Sequence, residues 1–130
     1  MPLVTALYAG ILGLMSIALG VPIGRLRGKY GVSLGDGGHP DLLLAMRRHG
    51  NFMEWIPLTL TLLALLELAG IGHQWIHALG GALVIVRVFH AAGLQVASIQ
   101  SLGRFVGAAG TALIVVIESI WLIVRYCTAG

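Results

Sequence analysis

The sequence has few charged residues. Asp, Glu, Lys and Arg make up 10% of its 130 residues, whereas a soluble globular domain has about 25%. Hydrophobic residues account for 58% of the chain, and the mean hydropathy is +0.94. This composition excludes an ordinary soluble domain and indicates an integral membrane protein.

Cysteine is nearly absent as well. The single cysteine, Cys127, cannot form a disulfide within the chain, and no group of Cys and His residues at ligand spacing predicts a metal site. The net charge is +3, but no basic stripe with interleaved aromatic residues is present, so we expect no nucleic-acid partner. Residues 1–23 lack the charged start and small-residue cleavage site of a signal peptide, so we expect this segment to be retained.

The basic residues are unevenly distributed along the chain. No Lys or Arg precedes Arg25, and none lies between the second and third apolar segments. Most occur between the first two apolar segments, at Arg25, Arg27, Lys29, Arg47 and Arg48, and Arg104 lies between the third and fourth. The positive-inside rule then predicts that these two loops are cytoplasmic and that both termini lie on the other side.

The apolar segments predict a multi-pass, all-α fold: one four-helix transmembrane domain over residues 1–130. The helices are expected at about 2–25, 41–69, 75–98 and 104–125, each long enough to cross about 30 Å of hydrocarbon. Pro22 and the first arginines are expected to end the first helix.

The second helix opens with RRHGNFMEWIP, residues 47–57. Arg47, Asn51 and Glu54 are spaced i, i+4, i+7 and therefore share one helix face. Glu54 lies about 10 Å further along the helix axis than Arg47. Ionisable residues at such depth usually face a bundle interior or a wet cavity, which makes this face a candidate functional site.

A second ionisable residue within a predicted span is Arg87, about 15 Å from the cytoplasmic end of the third helix. An arginine at the bilayer centre costs about 2.5–3.5 kcal/mol on insertion scales, so a carboxylate partner is expected, either Glu54 or Glu118. Such a pair would stabilise the bundle, contribute to a site, or both. Glu67 and Arg125 lie near span ends, where an interfacial position is expected.

The arginines at the cytoplasmic end suit a small anionic guest, whose carboxylates they would bind. An arginine near a thiol also favours the thiolate. Contact with anionic lipid headgroups is the alternative, and it is favoured for Arg27, Lys29 and Arg48.

These features resemble the MAPEG family, the membrane-associated proteins in eicosanoid and glutathione metabolism. The resemblance is carried by the basic, glycine-rich first loop, by RRHGNFMEWIP and by RVFHAAGL in the third helix, and GDGGHPDLLLAMRRHGNFMEWIPL is most similar to bacterial members. It implies a homotrimer in a bacterial inner membrane. It also implies glutathione as cofactor, bound between subunits near the cytoplasmic face, and a lipophilic small-molecule substrate that enters from the membrane lipid.

The resemblance also implies roles for individual residues. Arg104 corresponds to an arginine that stabilises the glutathione thiolate, and is the implied catalytic residue. The implied glutathione-binding residues are Arg25, Arg47, His49, Asn51, Glu54, Arg87 and His90. The sequence departs from the family pattern where glutathione-using members carry tyrosines, at Leu94 and Ala108, and also at Phe105 and Gly50.

Three functional hypotheses follow. The leading one is a membrane glutathione transferase or peroxidase that acts on lipophilic electrophiles or hydroperoxides. The alternative is a non-catalytic lipid-binding or scaffold trimer of the same fold, which Leu94 and Ala108 favour. The third is ion or proton transport that uses Glu54, Arg87 and Glu118.

Overall fold

A computed structural model describes residues 1–94 and 101–129 of the chain. Four helices follow one another in sequence: α1 (Leu3–Tyr30), α2 (Pro40–Leu68), α3 (His73–Gly93) and α4 (Leu102–Ala129). Each is long and apolar enough to cross a membrane. The predicted all-α fold class with four spans is therefore confirmed.

The two middle helices form the centre of the bundle. α2 and α3 each contact the other three helices, whereas α1 packs mainly on α2 and α4 packs mainly on α3. Within the described parts of the chain, α1 and α4 do not touch. The core comprises apolar side chains from all four helices, including Leu12, Phe52, Leu63, Leu66, Ile76, Leu83 and Ile114.

The outward faces of the bundle are also apolar. Leu14 of α1 is 76% exposed and Phe105 of α4 is 71% exposed. A soluble protein would not leave so many large apolar side chains in water, and acyl chains solvate them instead.

α1 is longer than expected. It continues through Pro22 and the first arginines to Tyr30, and ends where Gly31 adopts a left-handed conformation with φ 66°. Its 28 residues span about 42 Å, more than the hydrocarbon thickness. Arginine and lysine favour helix as well as leucine does, so these charges mark the membrane surface without ending the helix. Gly31, which adopts the left-handed conformation, ends the helix.

The end of α1 is tied to the start of α2. Arg27 donates to the Val32 carbonyl at 3.3 Å and contacts the Met46 sulfur at 3.7 Å. The Tyr30 hydroxyl donates to Asp41 at 2.6 Å and accepts from Lys29 at 3.0 Å. Arg27 and Lys29, two of the three basic residues expected to contact lipid headgroups, therefore have protein partners.

The turn between α3 and α4 differs from the predicted boundaries. α3 begins at His73 and ends at Gly93, because Leu94 has extended backbone angles; the predicted remainder, 95–98, lies outside the described residues. A Cβ at Gly93 would lie 2.6 Å from the carbonyl carbon of Gly103, so the two helix ends cross at a glycine contact. α4 begins at Leu102, because the Ser101 hydroxyl accepts a 3.1 Å hydrogen bond from the Arg104 N–H and caps the helix.

Candidate functional site

A buried arginine lies at the centre of the charged end of the bundle. Arg87 of α3 is 1% exposed. Its guanidinium donates to Oδ1 of Asn51 at 2.9 Å and to Oγ1 of Thr111 at 3.4 Å. The guanidinium carbon also lies 5.4 Å from the centre of the Phe52 ring. Arg87 therefore links α3 to both α2 and α4.

The carboxylate partner expected for Arg87 is not found among the described residues. Glu54 is exposed on α2, and neither carboxylate oxygen of buried Glu118 has a hydrogen-bond partner. Glu118 follows Thr111 by seven residues, which places it about 10 Å further along α4. The prediction of an internal ion pair was wrong. Neutral oxygen acceptors and an aromatic face solvate this cation instead.

A cavity of about 240 Å³ lies beside this buried network. Its lining residues come from α2, from α3 and the residue that follows it, and from the first turn of α4: Arg47, Asn51, His90, Leu94 and Arg104. Arg47 and Arg104 are exposed, so the cavity reaches the protomer surface. Four of the eight predicted site residues are thus brought together around one space.

His90 forms the buried wall of the cavity. Its side chain is 3% exposed, and its Nδ1 has no hydrogen-bond partner in the described structure. The helix crossing holds it in place, since a Cβ at Gly107 would lie 2.6 Å from the His90 Cα. A buried polar atom without a protein partner is expected to find one in a water or a ligand.

The other four predicted site residues are absent from the cavity lining: Arg25, His49, Glu54 and Arg87. The His49 ring lies against Gly20 of α1, 3.6 Å from an added Cβ, and its Nε2 is 3.5 Å from the Ser16 hydroxyl. Arg25 and Glu54 are exposed on the surface of the protomer.

Two residues that sequence reasoning missed support the cavity. Arg48, for which a lipid contact was expected, donates a hydrogen bond to the carbonyl oxygen of Leu94, which lines the cavity. Thr111 holds Arg87 from the α4 side. In the sequence, Arg48 follows Arg47 near the predicted membrane surface, which is typical of residues that contact lipid headgroups. Thr111 lies in an apolar helix, and a single threonine there does not indicate a functional site.

The cavity lining is rich in hydrogen-bond donors. Arg47 and Arg104 supply guanidinium groups, which donate and cannot accept. Such groups match carboxylates, which accept paired hydrogen bonds from arginine. The arrangement therefore favours a small ligand that carries carboxylate groups.

The fold and the cavity define a four-span helical membrane protein with a cation-rich site at one end of its bundle. The model of the MAPEG family matches residues 5–124. The chain therefore belongs to the MAPEG family, which confirms the resemblance.

The curated relatives are bacterial. The chain is 36% identical over 93 residues to inner membrane protein YecN of Escherichia coli strain K12, a match that covers 72% of this chain and 71% of that protein. YecN of E. coli O6:H1 strain CFT073 matches with the same values. No solved structure matches the chain. The four spans and these relatives together identify a bacterial-type, multi-pass inner membrane protein.

Proposed function

We propose that the protein is a glutathione-dependent transferase or peroxidase that acts on lipophilic electrophiles or hydroperoxides. The observation that carries this proposal is the shared cavity of Arg47, Asn51, His90 and Arg104. Membership of a family associated with glutathione supports it.

The residues around the cavity fit glutathione. Its carboxylates would accept from Arg47 and from the Asn51 side chain, and His90 lines the same space. Glutathione, when bound, supplies the thiol that attacks the second substrate. Arg104 would stabilise the negative charge on that sulfur, because a nearby cation favours the thiolate.

We propose that the functional unit is a homotrimer. Glu54 lies within a span yet is exposed on the isolated protomer. A carboxylate against acyl chains is costly, so coverage by a neighbouring copy is favoured. In this proposal the exposed Arg25 and Glu54 complete the site across the subunit boundary at the cytoplasmic end, with both termini on the opposite side, and the lipophilic substrate enters from the bilayer.

Calorimetry and turnover test the proposal in detergent-purified protein. We expect glutathione to bind at millimolar or lower concentration, together with conjugation of a chlorodinitrobenzene-type acceptor or reduction of a lipid hydroperoxide. Arg104→Ala is expected to lower kcat by about 100-fold, the usual effect of losing one group that stabilises developing negative charge. Arg104→Lys should retain part of the rate.

The matched control is Arg125→Gln at the far end of α4, where Arg125 donates to the Ala69 carbonyl at 3.4 Å. This change should leave turnover as in the wild type. If wild-type protein binds no glutathione at millimolar concentration, the proposed function is wrong.

A second candidate function is a non-catalytic lipid-binding or scaffold trimer. It is favoured by Leu94, an apolar residue in the cavity lining at a position where glutathione-using relatives often carry tyrosine. Native mass spectrometry distinguishes the two. A retained lipid or fatty acid, with no thiol-dependent turnover, would select this candidate.

A further inference from the structure

The hydrogen bond from Arg87 fixes which way the Asn51 amide points. The guanidinium carries only donors, so the amide atom 2.9 Å from it must be the oxygen, as it is in the structure. The two orientations of an asparagine side-chain amide exchange the positions of its oxygen and nitrogen. A neighbour that can only donate hydrogen bonds selects the orientation that presents the oxygen to it. The orientation of Asn51 is therefore dictated by chemistry.

Arg87 is itself held in place from the other side. The Thr111 hydroxyl donates its proton to the Gly107 carbonyl at 2.8 Å. Its oxygen is then left to accept from Arg87, at 3.4 Å. With the guanidinium buried and packed on the Phe52 ring, the side chain has no room to turn away from Asn51.

With its oxygen committed to Arg87, Asn51 has its Nδ2 group left for other partners. No hydrogen bond from this group is found within residues 1–94 and 101–129, and Asn51 lines the cavity whereas Arg87 does not. We propose that Arg87 is a positioning residue that turns the Nδ2 donor of Asn51 into the cavity, so that the site selects a ligand with an oxygen acceptor at this point.

The proposal determines which end of a ligand faces Asn51. The neighbouring Arg47 and Arg104 also offer only donors. A carboxylate or amide carbonyl therefore meets Asn51, and an ammonium group there would face the donors of Asn51, Arg47 and Arg104. The assignment of that acceptor to glutathione rests on the proposed function, whereas the donor that Asn51 presents to the cavity depends on the Arg87–Asn51 geometry.

The direction in which one substitution changes the affinity for glutathione tests the proposal. Asn51→Asp keeps the shape and the acceptor for Arg87, but replaces the cavity-facing donor with a carboxylate oxygen. If Asn51 donates to the ligand, Asn51→Asp should weaken glutathione binding about tenfold more than Asn51→Ala, because an acceptor then faces an acceptor. If Asn51 instead accepts from the ligand amine, Asn51→Asp should bind as tightly as the wild type or more tightly, and the proposal is overturned.

Two variants of Arg87 test its positioning role. Arg87→Lys keeps a donor-only partner and should retain affinity within about threefold, whereas Arg87→Met frees the amide to rotate and should raise KM for glutathione about tenfold with a smaller change in kcat. Equal KM values for the two variants would contradict the proposal. If Arg87→Met does not fold, the comparison of Asn51→Asp with Asn51→Ala decides alone.

A second probe separates this proposal from the proposed function. Inorganic sulfate carries only acceptor oxygens, and its binding is followed as thermal stabilisation of the detergent-solubilised protein, with Arg125→Gln as the control. Sulfate stabilisation that Asn51→Asp removes, in a protein that binds no glutathione, would reject the glutathione assignment and support the assignment of Asn51 as a donor to the ligand. Failure of both probes to bind the wild type would overturn both proposals.

Discussion

Glu67, near the end of α2, accepts a 2.7 Å hydrogen bond from the Thr5 hydroxyl at the start of α1. Its carboxylate also accepts from the main-chain N–H groups of Val4 and Thr5, at 2.9 and 2.8 Å. The first N–H groups of a helix have no partner within that helix. One helix therefore supplies the N-terminal cap of another, and the negative charge also suits the positive end of the α1 dipole.

We predict that Glu67→Ala destabilises the protein by about 1–2 kcal/mol, the usual cost of losing a helix cap. Glu67→Gln retains one acceptor oxygen without the charge and should cost less. Thermal unfolding in detergent, followed by circular dichroism, measures both. Equal stability of Glu67→Ala and the wild type would show that the three hydrogen bonds contribute nothing.

The crossing of α3 and α4 leads to a second prediction, at Gly107. A Cβ added there would lie 2.6 Å from the Cα and 2.7 Å from the N of His90, and backbone atoms cannot move aside cheaply. Gly107→Ala should therefore cost about 1–3 kcal/mol through overpacking and displace the cavity wall. Gly10→Ala on α1 is the matched control, because nothing lies within 4 Å of an added Cβ. The control should be neutral or slightly stabilising; a similar loss in both variants would rule out overpacking as the cause.

The buried carboxyl of Glu118 gives a third prediction. Glu118 is 0% exposed, and neither oxygen has a partner in the described structure. A buried polar group without a partner is costly, so Glu118→Met should stabilise the protein by about 1–3 kcal/mol, while the same change at Glu67 should destabilise it. Thermal unfolding compares the two. Destabilisation by Glu118→Met, with proton flux into liposomes that Glu118→Gln abolishes, would favour the transport hypothesis instead.

Sequence periodicity locates part of the site and misses the rest for geometric reasons. Arg47 and Asn51 share a face and line the cavity, as the 3.6-residue period predicts. Glu54 lies about 60° around the helix from Asn51 and about 4.5 Å further along it, where the cavity no longer reaches. His49 lies about 200° from Arg47 and faces α1. The 3.6-residue period predicts where a residue lies around the helix axis, but it does not predict how far along the helix the cavity extends.

The partners of Arg87 illustrate what a single sequence leaves open. Burial of the cation requires compensation, and an oppositely charged residue is the obvious candidate. The structure uses an amide, a hydroxyl and an aromatic ring at sequence separations of 24 to 36 residues. Which neutral groups meet the guanidinium depends on helix rotation and axial offset. The hydrophobic pattern fixes neither closely enough.

Leu94 provides a gain-of-function prediction. Its side chain lines the cavity beside Arg104, at a position where the resemblance to glutathione-using members of the family predicts a tyrosine. Leu94→Tyr adds a hydroxyl and an aromatic ring facing the ligand, and one net hydrogen bond is worth about 1 kcal/mol, so glutathione affinity should rise about fivefold. Phe89→Tyr is the matched control, because Phe89 is 53% exposed and lies outside the cavity lining. Calorimetric titration should show tighter binding for Leu94→Tyr alone. An unchanged affinity would mean that the ligand does not reach this wall, and would count against the cavity as the glutathione site.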